Sequence, residues 1–153
     1  MDVATFSAGC FWGVQYKFSK VNGVIKTEVG YAGGGATNPT YEEVCTGKTG
    51  HAEAVQVYFD KSMVTYRELL SVFWSIHDPT NLNRQGPDVG TQYRSIIFCH
   101  NDNQLKEALV SKKNLEISQK FKEPIVTEIL PFTNFYKAEL YHQDYFRKKG
   151  VDL

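Results

Sequence analysis

Strand-like and helix-like segments alternate along this chain, and two long loops containing glycine and proline interrupt the alternation. Alternating or continuous apolar runs predict strands, and apolar residues at three- and four-residue spacing predict helices. The predicted strands are 3–8, 24–31, 52–59, 93–100 and 125–130, and the predicted helices are 11–21, 41–45, 66–77, 102–121 and 136–148. The loops cover 33–39 and 78–89, and long loops in a compact domain are usually functional.

The number of crossover helices decides between two architectures. A doubly wound parallel sheet needs helices on both faces, and this order supplies too few of them. The sequence therefore predicts an α+β fold, a two-layer sandwich that has a ferredoxin-like core with a mixed sheet and long functional loops. A length of 153 residues without internal repeats fits one domain, residues 1–153.

Charge and cysteine content exclude several classes of partner. Seventeen basic and seventeen acidic side chains give a formal net charge of zero, so neither nucleic acid nor an anionic membrane is an expected partner. The chain begins without a signal-like segment and contains no run of membrane-spanning length. We therefore expect a cytoplasmic protein. Its three cysteines are too few for a disulfide framework, so each is either inert or chemically useful.

The segment Gly9-Cys10-Phe11-Trp12-Gly13 is the most informative in the chain. A strand ends at Gly9 and a helix begins at once, which puts Cys10 at the helix N-terminus. The unpaired backbone N–H groups and the helix dipole favour a thiolate there. Phe11 and Trp12 supply aromatic surfaces on which a methyl or thioether group packs well. A small buried cysteine in a core turn is the alternative that the spacing leaves open.

Other polar side chains are concentrated around the two loops. Glu53 has apolar neighbours, which would raise its pKa and suit it to general acid catalysis. The alternative is an outward-facing residue on a half-exposed strand. Tyr41 follows the first loop, whereas Asp88 and Tyr93 belong to the second loop and the strand after it, and phenol hydroxyls are good donors to a substrate oxygen. The chain contains nine tyrosines, so each tyrosine alone is weak evidence.

Two further patterns are set aside. Gly47-Lys48-Thr49 resembles the end of a phosphate-binding loop, but Glu42 occupies the position where that motif needs a glycine. The histidines lack paired metal-ligand spacing, so we expect structural roles for them and no bound metal. They are His51, His77, His100 and His142.

Six segments, in this order, resemble peptide methionine sulfoxide reductases of the A type. They are Gly9-Cys10-Phe11-Trp12-Gly13, Gly30-Tyr31-Ala32-Gly33-Gly34, Asn38-Pro39-Thr40-Tyr41, Gly50-His51-Ala52-Glu53, Phe73-Trp74-x-x-His77-Asp78-Pro79-Thr80 and Arg84-Gln85-Gly86-Pro87-Asp88-Val89-Gly90-Thr91-Gln92-Tyr93-Arg94-Ser95. The resemblance runs from Thr5 to Phe146. It implies an oxidoreductase that repairs oxidised methionine under oxidative stress by reducing the S epimer of methionine sulfoxide, free or in proteins.

The resemblance also implies a role for each candidate residue. Cys10 would be the nucleophile and Glu53 the acid that protonates the sulfoxide oxygen. This thiol catalysis yields methionine and a sulfenic acid on Cys10. The residues implied to bind substrate are Phe11 and Trp12 around the methyl group, and Tyr41, Tyr93 and Asp88 around the oxygen.

One departure from the family pattern concerns the C-terminus. Many relatives carry resolving cysteines in a tail, and this chain stops at Val151-Asp152-Leu153 without one. We therefore expect an external reductant, thioredoxin or glutathione with glutaredoxin, and no bound cofactor. Cys45 is a possible internal resolving cysteine, and Cys99 is expected to be passive. Some tail-less relatives carry selenocysteine at the nucleophile position, which leaves open whether Cys10 replaces one. We expect a monomer or a weak dimer.

Two rival functions stay open on the sequence alone. A thiol peroxidase also forms a sulfenic acid, but it needs no methyl pocket, so the Phe11-Trp12 pair argues against it. A non-catalytic module that binds methionine-containing segments would not need both Cys10 and Glu53.

Overall fold

The structure is a computed structural model that describes residues 1–150, so the expected tail-less end, Val151 to Leu153, lies outside the described residues. In chain order the elements are β1 (Asp2–Ala8), α1 (Phe11–Ser19), β2 (Val24–Ala32), α2 (Tyr41–Cys45), β3 (Ala52–Phe59), α3 (Tyr66–Ser75), β4 (Arg84–Gln85), β5 (Asp88–Val89), β6 (Ser95–Cys99), α4 (Asp102–Ile117), β7 (Glu128–Pro131), β8 (Phe135–Lys137) and α5 (Tyr145–Lys148), with 3-10 turns at Thr91–Tyr93 and Leu140–His142.

Six of these strands form one mixed sheet. Their order is β7-β6-β1-β3-β2-β8. All neighbouring pairs are antiparallel except β6 and β7, which are parallel. Because β1 and β2 both pair antiparallel with β3, they run in the same direction, and α1 connects them across it. This crossover is typical of a ferredoxin-like core, and the predicted α+β fold with a mixed sheet is confirmed.

The two faces of the sheet are covered differently. One face packs against α1, α3 and α4 and contains the larger core, in which the rings of Phe6 and Phe18 stack with centroids 5.0 Å apart. The other face contains a smaller cluster around Ile96 and Phe98, which Phe132 and Phe135 cover. With all three longer helices on one face, the molecule has two layers rather than the three of a doubly wound sheet.

Helix starts follow side chains that the sequence marks as caps. Thr65 accepts a hydrogen bond from the N–H of Glu68, and the Glu68 carboxylate accepts one from the Thr65 N–H. Thr40 and Glu43 form the same reciprocal box at α2. Asn101 caps α4 through its side chain. Each cap satisfies backbone donors that the first helical turn leaves free, and a cap of this kind is worth about 1 kcal/mol.

The C-terminal region is where the sequence prediction is wrong. In place of a helix over 136–148, the chain forms β8, a 3-10 turn and the four-residue helix α5. The Gln143 side chain accepts a hydrogen bond from the Val29 N–H and donates one to the Val29 carbonyl, at 3.0 and 2.9 Å. Asp144 then adopts a φ of 53°, which ends any helix running through it. Tertiary hydrogen bonding therefore overrides local helix propensity here.

Several boundaries also differ from those predicted. The helix after Thr65 ends at Ser75, and α4 ends at Ile117 rather than 121. The strand predicted over 93–100 begins only at Ser95 because Thr91–Tyr93 forms a 3-10 turn. The loop 78–89 contains the short β4–β5 hairpin. Within residues 1–150, none of the helices has the length and apolar character needed to cross a bilayer.

Candidate active site

Cys10 lies in the turn between β1 and α1, at the N-cap position of the helix. Gly9 has a φ of 99°, and a Cβ atom added there would lie 2.9 Å from the Cβ of Gln85. Only glycine fits this turn without strain. The half-buried Cys10 sulfur receives hydrogen bonds from the backbone N–H groups of Trp12 and Gly13, as expected for a helix start.

The acidity of Cys10 differs from the prediction. Burial raises the pKa of its thiol to about 12, and the carboxylates of Glu53 and Asp88 add to the rise. The N–H groups of Trp12 and Gly13 lower this pKa by less. The expectation that the helix N-terminus makes Cys10 acidic is therefore wrong for the substrate-free site, because desolvation and negative neighbours outweigh the helix. Cys10 rests as a thiol.

Glu53 projects from β3 onto the α1 face of the sheet and is 1% exposed. Its Oε1 accepts a hydrogen bond from the Phe11 N–H at 3.1 Å, whereas its buried Oε2 has no hydrogen-bond partner. Burial raises the pKa of Glu53 to about 8, with a further contribution from Asp88. The prediction of a raised pKa is confirmed. Glu53 is therefore mostly protonated at neutral pH, when it no longer opposes ionisation of Cys10.

Three more predicted residues surround these two groups. Tyr41 begins α2, Asp88 lies in β5, and Tyr93 ends the 3-10 turn before β6. The charge of Glu53 acts on both phenols, and that of Asp88 acts on Cys10, Glu53 and Tyr93. Burial raises the pKa of Tyr93 to about 12 and also raises that of Tyr41. Both phenols therefore remain protonated donors. We call these five residues the Cys10 site.

The two aromatic residues after Cys10 have different environments. The Phe11 ring is 1% exposed and packs against Tyr31 and His142, with centroid distances of 5.7 and 5.2 Å. Trp12 is half-buried and stacks on Tyr145 at 3.8 Å. Its indole N–H donates to Nδ1 of His142 at 2.9 Å. Of the two rings, that of Trp12 is thus the more accessible beside Cys10.

A carboxylate that the sequence analysis missed joins two walls of the site. Oε1 of Glu139 accepts a hydrogen bond from the Tyr31 hydroxyl at 2.8 Å, and Oε2 accepts one from the Tyr41 N–H at 3.0 Å. Burial raises the pKa of Glu139, but these hydrogen bonds outweigh burial and leave that pKa below its ordinary value. Glu139 lies about 100 residues from both partners, and no local pattern marks it.

Gln85 is a second residue that the sequence analysis missed. Its side chain packs over Gly9 and makes hydrogen bonds to the backbone N–H and carbonyl of Asp78. These contacts hold the β4–β5 hairpin over the Cys10 turn and so position Asp88. Arg94 fixes the adjacent 3-10 turn by donating to the carbonyls of Thr91 and Gly50.

The remaining cysteines and histidines have other environments. Cys45 is exposed at the end of α2 and receives a hydrogen bond from the Tyr41 hydroxyl, and Cys99 is buried in the core; both are free thiols. His51 binds the first loop through Gly34 and Ala36. Burial lowers the pKa of His77 to about 4, so it is neutral between the Phe73 carbonyl and Ser95. Among residues 1–150, no group of three or more potential ligands could hold a metal ion.

A thiol beside a protonated carboxyl group, with two phenol donors nearby, can attack one atom of a polar substrate while protonating another. Together with the α+β fold, this arrangement defines the class of protein as a thiol-dependent oxidoreductase.

Comparisons with known proteins agree. The family model described as "Peptide methionine sulfoxide reductase" matches residues 2–152. "Peptide methionine sulfoxide reductase MsrA" of Methanosarcina acetivorans is 61% identical over 150 residues, which are 98% of this chain and 80% of that protein. The crystal structure of Mxr1 from Saccharomyces cerevisiae in reduced form gives a TM-score of 0.92 at 40% identity, covering 99% of this chain and 87% of that chain.

The structure of Mxr1 in complex with Trx2 gives a TM-score of 0.66 at 31% identity, covering 94% and 84% of the two chains. The chain belongs to the peptide methionine sulfoxide reductase family, in its A type.

Proposed function

We propose that this chain reduces the S epimer of methionine sulfoxide, with Cys10 as the nucleophile and Glu53 as the proton donor to the sulfoxide oxygen. Family membership gives the chain its activity, peptide methionine sulfoxide reduction. The observation that carries the assignment of roles is the buried Oε2 of Glu53, which has no hydrogen-bond partner. A buried polar atom is costly unless it is satisfied, and we assign this atom to the substrate oxygen.

The protonation states of the groups in the substrate-free site suit this reaction. A sulfoxide sulfur becomes electrophilic once its oxygen is protonated or strongly hydrogen-bonded, and Glu53 holds the proton that this requires. Because the protonated Glu53 carries no charge, it does not oppose negative charge on Cys10 as attack begins. The N–H groups of Trp12 and Gly13 then stabilise that charge.

The chemical step balances without a cofactor. The Cys10 sulfur bonds to the substrate sulfur as Glu53 protonates the oxygen, and the Glu53 carboxylate takes up the thiol proton. The sulfur–oxygen bond of the substrate and the new sulfur–sulfur bond then break, with the electron pair of the sulfur–sulfur bond going to the substrate sulfur. The hydroxyl group bonds to Cys10 as a sulfenic acid, and the methionine thioether leaves. The substrate gains two electrons and Cys10 loses two.

Substrate binding divides between two kinds of surface. We assign the sulfoxide oxygen to the hydroxyls of Tyr41 and Tyr93, which remain protonated, with Asp88 completing the polar wall. The Tyr41 hydroxyl would turn its single proton from Cys45 to the substrate. We assign the methyl group to the aromatic surface of Phe11 and Trp12. Apolar contact with the methyl and directed donors to the oxygen would together fix the orientation in which sulfur faces Cys10.

The sulfenic acid has to be reduced before the next turnover. We propose that an external thiol does this: thioredoxin, which the Mxr1–Trx2 complex supports, or glutathione with glutaredoxin. Exposed Cys45 beside Tyr41 is the internal alternative, and buried Cys99 takes no part. We further propose a cytoplasmic location, a monomer or weak dimer, and a single catalytic domain over residues 1–153, since one sheet includes strands from both ends of the described chain.

The assay that tests this function offers both epimers of a blocked methionine sulfoxide with dithiothreitol. We expect turnover of the S epimer only, its loss in Cys10→Ser, and its retention in Cys99→Ser as the matched control. Reduction that survives Cys10→Ser would overturn the nucleophile assignment. Faster turnover of hydrogen peroxide than of the sulfoxide would favour a thiol peroxidase. Binding of the sulfoxide without turnover would favour a non-catalytic methionine-binding module.

A second experiment tests the reductant. After one turnover without any thiol added, mass spectrometry should find one added oxygen atom on Cys10. A Cys10–Cys45 or Cys10–Cys99 disulfide in high yield would instead make an internal cysteine the resolving residue.

A further inference from the structure

His142 has no role in the function proposed above, yet it lies at the centre of the aromatic residues around Cys10. It is 1% exposed, and its ring lies 5.2 Å from that of Phe11, 5.6 Å from that of Trp12 and 4.4 Å from that of Tyr41, between centroids. Its Nδ1 accepts the hydrogen bond from the Trp12 indole N–H. Nδ1 must therefore be unprotonated, so the ring is neutral and carries its hydrogen on Nε2.

The other ring nitrogen argues against a merely structural role. Nε2 of His142 is buried and has no hydrogen-bond partner. An unsatisfied buried donor costs stability, and an apolar side chain of similar size would avoid that cost. A histidine at this position despite that cost points to the one hydrogen bond that its ring does make, in which Nδ1 accepts from Trp12.

The backbone around His142 is held firmly on both sides. Glu139 binds the Tyr31 hydroxyl and the Tyr41 N–H. Gln143 binds both backbone groups of Val29. The backbone on both sides of His142 is therefore fixed by hydrogen bonds, which hold the acceptor Nδ1 in place.

We infer that His142 is a positioning residue, which fixes the Trp12 indole through its Nδ1 and so sets how strictly the site selects a methyl sulfoxide over a larger one. Stacking on Tyr145 fixes the plane of the indole, but it leaves the ring free to slide or flip within that plane. The directed N–H bond removes this freedom, which keeps one indole edge in register with Cys10. The inference rests on the proposed function.

Two substitutions of matched size isolate the acceptor. Asn offers its Oδ1 near the position of Nδ1, and Leu has the same shape without an acceptor. The test compares His142→Asn with His142→Leu by the ratio of kcat/KM for methionine sulfoxide to kcat/KM for ethionine sulfoxide. We expect the ratio to fall about tenfold in the Leu variant, since one methylene in an apolar pocket is worth roughly that factor or more. In the Asn variant it should stay within about threefold of the parent.

A spectroscopic arm follows Trp12 without any turnover. The chain has two tryptophans, so Trp74→Phe leaves Trp12 as the sole indole fluorophore. In that background, His142→Leu should increase quenching of Trp12 by acrylamide, and His142→Asn should leave it near the parent value. Trp12→Phe removes the indole N–H. In that background, His142→Asn and His142→Leu should give the same ratio of kcat/KM for methionine sulfoxide to kcat/KM for ethionine sulfoxide.

Two results would overturn the inference. One is that His142→Asn and His142→Leu give equal kcat/KM ratios when Trp12 is present, and the other is that their ratios still differ when Trp12 is replaced by Phe. If the parent protein does not reduce methionine sulfoxide at all, the proposed function fails, while the quenching comparison still decides whether His142 holds Trp12.

Discussion

Cys10 follows β1 and Cys99 ends the neighbouring antiparallel strand β6, so the two cysteines lie at opposite ends of the same sheet. Burial raises the pKa of both thiols, to about 12 and about 11 respectively. Around Cys99, Tyr66 is the one group that changes the thiol pKa further, by lowering it. Around Cys10 are Glu53, Asp88 and two backbone N–H groups. Thiol acidity alone does not separate the proposed nucleophile, Cys10, from Cys99 in the core, whereas the protonated carboxyl group of Glu53 lies beside Cys10 alone.

Removing the proposed proton donor, Glu53, should have the largest effect on the contrast between Cys10 and Cys99. Glu53→Gln keeps the shape of the side chain and should lower kcat by about 10³-fold, within the range for loss of a general acid, with KM changed much less. Steady-state kinetics on the S epimer measure this. Glu28→Gln is the matched control, since Glu28 pairs with Lys137 at the surface; an equal loss in both variants would remove the special role of Glu53.

The pH dependence of the rate gives an independent view of the same proton. Burial raises the pKa of Glu53 to about 8. If Glu53 acts in its protonated form as proposed, kcat/KM should fall about tenfold for each pH unit above that value. The residual rate of Glu53→Gln should lack this fall. A parent profile that stays flat from pH 6 to pH 10 would contradict an acid role for this carboxyl group.

The free energy of unfolding should also depend on the protonation of Glu53, and the raised pKa fixes the direction of its change with pH. The folded pKa of Glu53 lies above its ordinary value of 4.5, so the folded state binds the extra proton between about pH 4.5 and pH 8. Stability should therefore fall as pH rises through that window, by up to about 5 kcal/mol. Urea unfolding at pH 5 and pH 8 measures the difference, which Glu53→Gln should reduce. Unchanged pH dependence in that variant would assign the loss to other groups.

Alkylation tests the contrast between Cys10 and Cys99 through a smaller expected effect. At pH 9 the charge of Glu53 opposes the thiolate in the parent, so Glu53→Gln should speed iodoacetamide modification of Cys10 by about tenfold. At pH 6, where Glu53 is already neutral, the two proteins should react alike. Cys99 serves as the internal reference and should react slowly in both. Peptide mapping by mass spectrometry separates the sites.

The smallest effect on catalysis belongs to Cys99. Cys99→Ala removes a buried sulfur from the core and should cost about 1 kcal/mol of unfolding free energy, with activity kept within about twofold. Chemical unfolding and the sulfoxide assay together test this. A large loss of activity without a loss of stability would give Cys99 a role that its position at the far end of the sheet does not suggest.

The sequence predicted features whose causes are local. The Thr65–Glu68 box and the Asn101 cap lie within one helical turn of the donors that they satisfy. The alternation over residues 52–59 was enough to predict β3 and to place Glu53 among apolar neighbours. The glycine before Cys10 likewise marked the turn at which α1 begins.

Features that depend on distant contacts could not be predicted. The helix expected over 136–148 is absent because Gln143 pairs with Val29, 114 residues away. Glu139 and Gln85 hold the site through partners that no spacing rule connects to them. The acidity expected for Cys10 failed for the same reason, since the sequence shows the helix start but not the burial or the two carboxylates gathered around it.

The hydrogen bond between Trp12 and His142 spans 130 residues, which has a consequence for synthesis of the protein. Cys10 is translated first, Glu53 follows 43 residues later, and His142 follows after a further 89 residues. A nascent chain therefore exposes an ordinary, unassisted thiol. The full set of aromatic contacts around Cys10 can therefore form only after His142 has been translated.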